Sequence, residues 1–129
     1  MKPQSAAFLR KSHQLLDHAD TMLRVDLVED AGRTAYLAGL HAAQAFIFET
    51  TGQIFKRHAT VHSEFGRLAK DNARFDAELR AFLPHTYKLK AIADYEAGPG
   101  STVSLETART AIATARRFVE CVASLIDVA

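Results

Sequence analysis

Tryptophan is absent from the 129-residue chain, and cysteine occurs once, at Cys121. A lone thiol excludes an internal disulfide framework and a cysteine-based zinc site. With three prolines and six glycines, the chain is neither collagen-like nor a Pro/Gly-rich disordered segment. No sign of charge dominates: 16 Lys and Arg stand against 15 Asp and Glu, a formal net charge of +1. A long-range field cannot then drive nucleic-acid binding, and any basic footprint must be local. Long apolar runs are missing as well. Residues 5–16 are interrupted by Arg10, Lys11, Ser12, His13 and Gln14, so neither a signal peptide nor a membrane span is expected, and the expected compartment is the cytoplasm.

What is present is helix-forming and apolar. Hydrophobic residues make up 48% and charged residues 24%, a globular composition whose length suits one domain spanning residues 1–129. Alanine, the strongest helix former, supplies 23 residues, and apolar positions recur at helical spacing nearly throughout. A first helix running to about residue 28 carries Phe8, Leu15, Leu16, Ala19, Met22 and Leu23 on one face. A second, over about 29–51, opens with Glu29 and Asp30 against the helix dipole and stops at Gly52. Its many Ala and Gly residues allow close backbone approach, which predicts a central position. After a basic connector over 53–59, a short helix is expected over 60–69, with Val61, Phe65 and Leu68 inward.

The next helix is expected from Phe75 or Asp76 to Tyr95, with Leu79, Phe82, Leu83, Tyr87 and Ile92 facing the core. Pro84 removes a backbone donor within it and predicts a kink or break. Residues 98–102, Gly-Pro-Gly-Ser-Thr, form the clearest loop signal. Ser104 caps a last helix to about residue 128, whose seam is Leu105, Ala108, Ile112, Ala115, Val119, Val122 and Ile126. The expected fold is all-α: an up-and-down four-helix bundle with an additional short helix.

Four stretches in order resemble the HEPN domain family (higher eukaryotes and prokaryotes nucleotide-binding), in particular its small stand-alone prokaryotic members. They are Asp30-Ala-Gly-Arg-Thr-Ala-Tyr36 followed by His41-Ala-Ala-Gln-Ala45; Lys56-Arg-His58 leading to Phe65; Tyr87-x-x-Lys90-x-x-x-Asp94-Tyr95; and Ala115-Arg-Arg-Phe118-Val119. The resemblance implies a nucleotide- or RNA-binding module that pairs as a homodimer around a shared cleft. It also implies, as partner, a separate nucleotidyltransferase or antitoxin chain. Its ligand- or partner-binding positions would be Tyr36, Lys56, Arg57, His58, Lys90, Asp94 and Tyr95. Some family members are metal-independent ribonucleases with an Arg-x4–6-His signature, sometimes followed by Tyr. Arg80-Ala-Phe-Leu-Pro-His85-Thr-Tyr87 matches that string, which makes Arg80, His85 and Tyr87 the candidate catalytic residues. The family's cleft position, aligned on Asp-Tyr, falls instead on Lys90 and Asp94. The ten-residue offset is about 280° of helical rotation.

The residues allow simpler readings beside these, up to a plain protein-interaction helical bundle with no nucleotide role. Lys90 and Asp94 are i, i+4 and suit a surface ion pair. His58 and His62 have the spacing of metal ligands on a helix, but His58 is expected to precede the helix and the one nearby third candidate, Glu64, points about 200° away, so no metal and no cofactor is expected. His41 among alanines reads as a buried structural histidine. Tyr36 reads as a core tyrosine with its hydroxyl at the bundle edge, and Cys121 as an inert buried thiol. A Gly-rich phosphate loop, a Gly-x-Ser-x-Gly elbow, paired Glu-x-x-His motifs and the Gly-Ser plus paired-aspartate site of a nucleotidyltransferase are all missing.

Overall fold

The computed structural model describes residues 1–95 and 102–127. Within them the elements are α1 (Pro3–Arg24), α2 (Val28–Thr51), α3 (His58–Ala69), the single turn α4 (Ala77–Arg80), α5 (Phe82–Tyr95) and α6 (Leu105–Asp127). The long helices α1, α2, α5 and α6 make the up-and-down bundle, and α3 is the additional short helix. Among the described residues there is no strand, and no helix is long and apolar enough to cross a membrane.

α2 is the central helix, as its composition predicts: it packs against α1, α3, α5 and α6. Its tightest glycine position is Gly39, where a Cβ would lie 2.2 Å from Phe82 Cε2. A side chain there has no room. Around this contact five phenylalanines form the apolar centre. Phe46, Phe65, Phe75, Phe82 and Phe118 are all buried, and ring centroids stand 5.0 Å apart between Phe65 and Phe118 and 5.3 Å between Phe82 and Phe118. These rings tie α2, α3, α5 and α6 into one core. Each fully buried large side chain contributes roughly 2 kcal/mol of hydrophobic stabilisation.

The helix boundaries differ from expectation in informative places. α1 ends at Arg24 instead of continuing to residue 28, because the chain reverses through Asp26, whose φ is 64°. Aspartate is among the few non-glycine residues that adopt this left-handed conformation readily. α2 stops where predicted, on Gly52 with φ 75°. α3 starts at His58, two residues early, so His58 and His62 share a helix and their spacing applies. Asp76 caps α4, its carboxylate accepting the Leu79 N–H at 2.9 Å. The expected interruption exists, at Ala81 between α4 and α5, and Pro84 sits in the first turn of α5. A proline nitrogen cannot donate to the carbonyl four residues back and its ring crowds that carbonyl. Here that carbonyl belongs to Arg80, the residue at which α4 ends.

α6 begins as expected, with Ser104 Oγ accepting the Thr107 N–H at 3.0 Å. Its seam holds from Ala108 to Ile126, all buried. Leu105 does not belong to it, being 40% exposed, and Val103 before the cap is buried in its stead. A hydrophobic residue preceding the cap commonly folds back onto the bundle in this way. Most of the expected loop over 98–102, and the end of α6 at residue 128, lie outside the described residues.

Candidate functional site

The side chains of interest gather where α2, α3 and α5 meet. Tyr36 is fully buried on α2. Its hydroxyl reaches the start of α3, 2.8 Å from His58 Nδ1 and 2.7 Å from His62 Nε2. The reading of Tyr36 as a core tyrosine holds, but its hydroxyl is covered by His58 and His62 instead of standing open at the bundle edge, and that hydroxyl is where α3 is pinned to α2. Tyr87 of α5 closes the cluster. Its ring meets Tyr36, His58 and His62 edge-on at centroid distances of 5.4, 5.7 and 5.6 Å. It remains 39% exposed, so it is a lid on the cluster and not the core residue expected. The phenol of Tyr36 is raised far above its ordinary value by burial, with Tyr87 adding to the effect. His58 is held below its ordinary value by burial first, then by Lys90 and His41. His62 is lowered by burial and then by His58. All these shifts favour a neutral cluster.

Next to it runs a charged row. Lys90 Nζ bonds Asp94 Oδ2 at 2.6 Å, which is the i, i+4 pair anticipated, and Arg33 Nε of α2 bonds Asp94 Oδ1 at 2.7 Å. One carboxylate between two cations leaves a net positive charge. The bond from Lys90, and secondarily the one from Arg33, keeps the Asp94 carboxyl below its ordinary value. The same bond to Asp94 raises Lys90. Lys90 Nζ also lies 5.4 Å from the centroid of the Tyr95 ring, a cation–π contact. Tyr95 itself is 77% exposed. Lys56 and Arg57, the basic pair preceding His58, are exposed.

Tyr36, His58, Lys90, Asp94 and Tyr95 therefore come together, with Tyr87 among them and Lys56 and Arg57 beside them in the chain. Two members of the constellation escaped the sequence reading. His62 was signalled by its spacing from His58 but set aside by the wrong helix start. Arg33 stood inside a quoted motif, with nothing local to show that it meets Asp94, 61 residues away.

Arg80, His85 and Tyr87 are not gathered in the same way. Arg80 ends α4 before the break, and both Arg80 and His85 are exposed. Among the described residues neither side chain makes a hydrogen bond or ion pair. His85 lines a groove of about 480 Å³ between α5 and α6, with Thr86, Lys88, Glu106 and Thr110. Tyr87, two residues on and about 200° around the helix, turns the other way into the histidine cluster.

Two further residues serve the scaffold. His41, half-buried instead of buried, bonds Gln44 Oε1 through Nδ1 at 2.7 Å, and Gln44 donates to the Phe55 carbonyl at 2.9 Å. This chain fastens the connector to α2. Cys121 is half-buried with Sγ 3.4 Å from the Arg74 carbonyl, and burial pushes its thiol up, away from reactivity.

A sequence model of the HEPN domain matches residues 5–125 of the chain. No curated protein matches it.

Proposed function

Because the chain belongs to the HEPN domain family, a helical family tied to nucleotide and RNA biochemistry, we propose that it is a nucleotide- or RNA-binding module and that the α2–α3–α5 surface is its binding face. The observation that carries this reading is the convergence of exposed aromatic rings with a net positive row. Tyr87 and Tyr95 offer faces on which a base can stack, and Arg33 and Lys90 outnumber the one carboxylate between them. Stacking on an aromatic side chain is worth about 1–3 kcal/mol per base. Each phosphate contact adds a salt-dependent increment. Lys56 and Arg57, exposed just before His58, extend the footprint, whereas Lys88 lines the α5–α6 groove; with a net charge of +1 these contacts act locally. Membership in the family also supports a homodimer and a separate nucleotidyltransferase or antitoxin chain as partner. Titration with a single-stranded RNA tests the face. Tyr87→Ala should weaken binding about tenfold or more, and Lys90→Gln should lower the slope of log affinity against log salt by about one. Unchanged affinity and slope in both variants would end this reading.

A second reading is metal-independent RNA cleavage through Arg80 and His85. It is favoured by one observation: His85 is exposed at the α5–α6 groove and free of side-chain partners among the described residues. Its imidazole could move the 2′-OH proton while Arg80 stabilises the charge on phosphorus. Cleavage without divalent metal should then fall at least about a hundredfold in His85→Ala and in Arg80→Ala. Equal rates in all three proteins, or none in the native chain, would leave binding alone.

A further inference from the structure

A phenol hydroxyl has one proton to donate and lone pairs with which to accept. Tyr36 Oη makes two bonds to two imidazoles, at 2.8 Å and 2.7 Å. The two rings must therefore play opposite roles. One donates N–H to the phenol oxygen and the other accepts the phenol proton. The donating ring can take a proton on its outward nitrogen without disturbing either bond. The accepting ring cannot, because its inward nitrogen already receives the Tyr36 proton. A proton there would leave a buried hydroxyl without an acceptor, a costly arrangement. The cluster has room for one proton and resists a second.

The groups facing it decide when that proton arrives. From α2 come Tyr36 and, further along, His41; from α3, His58 and His62; from α5, Tyr87 and Lys90, the latter bonded to Asp94, which Arg33 also holds. Lys90 opposes charge on His58. No such effect of Lys90 falls on His62. An anion seated between Lys90 and His58 would turn that repulsion into a shared attraction. We infer that the His58–Tyr36–His62 cluster is a proton-uptake site, where a phosphodiester of the bound strand and one proton on His58 enter together. The inference rests on the binding face proposed above. The proton comes from water and goes to His58 Nε2. His58 Nδ1–H then donates to Tyr36, Tyr36 donates to His62 Nε2, and no bond between heavy atoms forms or breaks.

The test uses a 2′-O-methyl oligouridylate without a terminal phosphate, a probe that cannot be cleaved at the 2′ position. Its charge is constant between about pH 8 and about pH 5.5, the range in which histidines titrate. Affinity measured by fluorescence anisotropy should rise as pH falls, by up to about tenfold per pH unit, the slope of one proton. His58→Gln should flatten the profile. His62→Gln, whose amide oxygen accepts the same phenol proton, should keep the slope whatever its absolute affinity. In the native chain at neutral pH, saturation with the probe should move the His58 ring resonances to their protonated positions, a readout that needs no variant. Binding with a flat native profile, a slope of two protons, an unflattened His58→Gln or unmoved His58 resonances would each overturn the inference and leave the binding face standing. Absence of binding at every pH would remove the binding face itself, and the inference with it.

Discussion

One oxygen atom, the Tyr36 hydroxyl, holds two imidazoles and with them the start of α3. Tyr36→Phe keeps the ring and its packing against Tyr87 but removes both bonds. The half-exposed imidazoles can turn to water, so the expected loss is about 1–2 kcal/mol, read from the urea midpoint. The same histidines set a pH dependence. Both lie below the ordinary value of 6.5 in the folded chain, so the unfolded chain binds more protons in acid. Their contribution is complete above about pH 6.5 and is lost as pH falls below it. A His58→Gln/His62→Gln double variant should show a shallower loss of stability between pH 6.5 and 5 than the native chain. An identical pH profile for the two would show that these rings are not depressed. Both histidines could be read in the sequence as a spaced pair. Their common partner could not, because Tyr36 lies 22 and 26 residues away.

At the scale of elements, the fit of α2 against α5 rests on a missing side chain. A Cβ on Gly39 would stand 2.2 Å from Cε2 and 2.9 Å from Cδ2 of Phe82. Phe82 is itself buried against Phe118 and has little space to retreat. Gly39→Ala gains helix propensity of about 1 kcal/mol, but overpacking costs about 1–3 kcal/mol, and with a clash this deep the second effect should win. A lower melting temperature is expected, partly recovered by Phe82→Leu in the same chain. A Gly39→Ala protein melting at or above the native temperature would refute this account of the α2–α5 contact. Most element boundaries were legible from alanine content, spacing and caps, with Gly52 and Ser104 the clearest. α3 was misplaced because His58 and Ala59 carry no cap signal: Arg57 stands at the cap position without a side-chain bond. The break before α5 was foreseen from Pro84, but its position depends on the carbonyl that the proline obstructs.

For the whole molecule, the bundle leaves Tyr87 and Tyr95 exposed on the α2–α3–α5 face and an open groove between α5 and α6. The proposed pairing of two copies around a shared cleft carries its own prediction. A C2 interface uses the same patch on both subunits, so one substitution acts twice. Light scattering at micromolar concentration should give about twice the 14.2 kDa chain mass. A strictly monomeric mass would remove the shared cleft and leave each surface to act alone.

Helicity, the central place of α2, the seam of α6 and the family itself were written in the sequence, because each depends on spacing within one segment or on motifs in order. Helical periodicity says which face of a segment is apolar. It does not say how far each helix is rotated and advanced against its neighbours. That rotation decided everything about the candidate site: it brought His62 to Tyr36, carried Arg33 across to Asp94, and turned Tyr87 into the cluster while His85 faced the groove. The helix's own turn of about 200° set apart side chains two residues apart, but side chains 61 residues apart were joined by the way the helices pack, which no local geometry specifies.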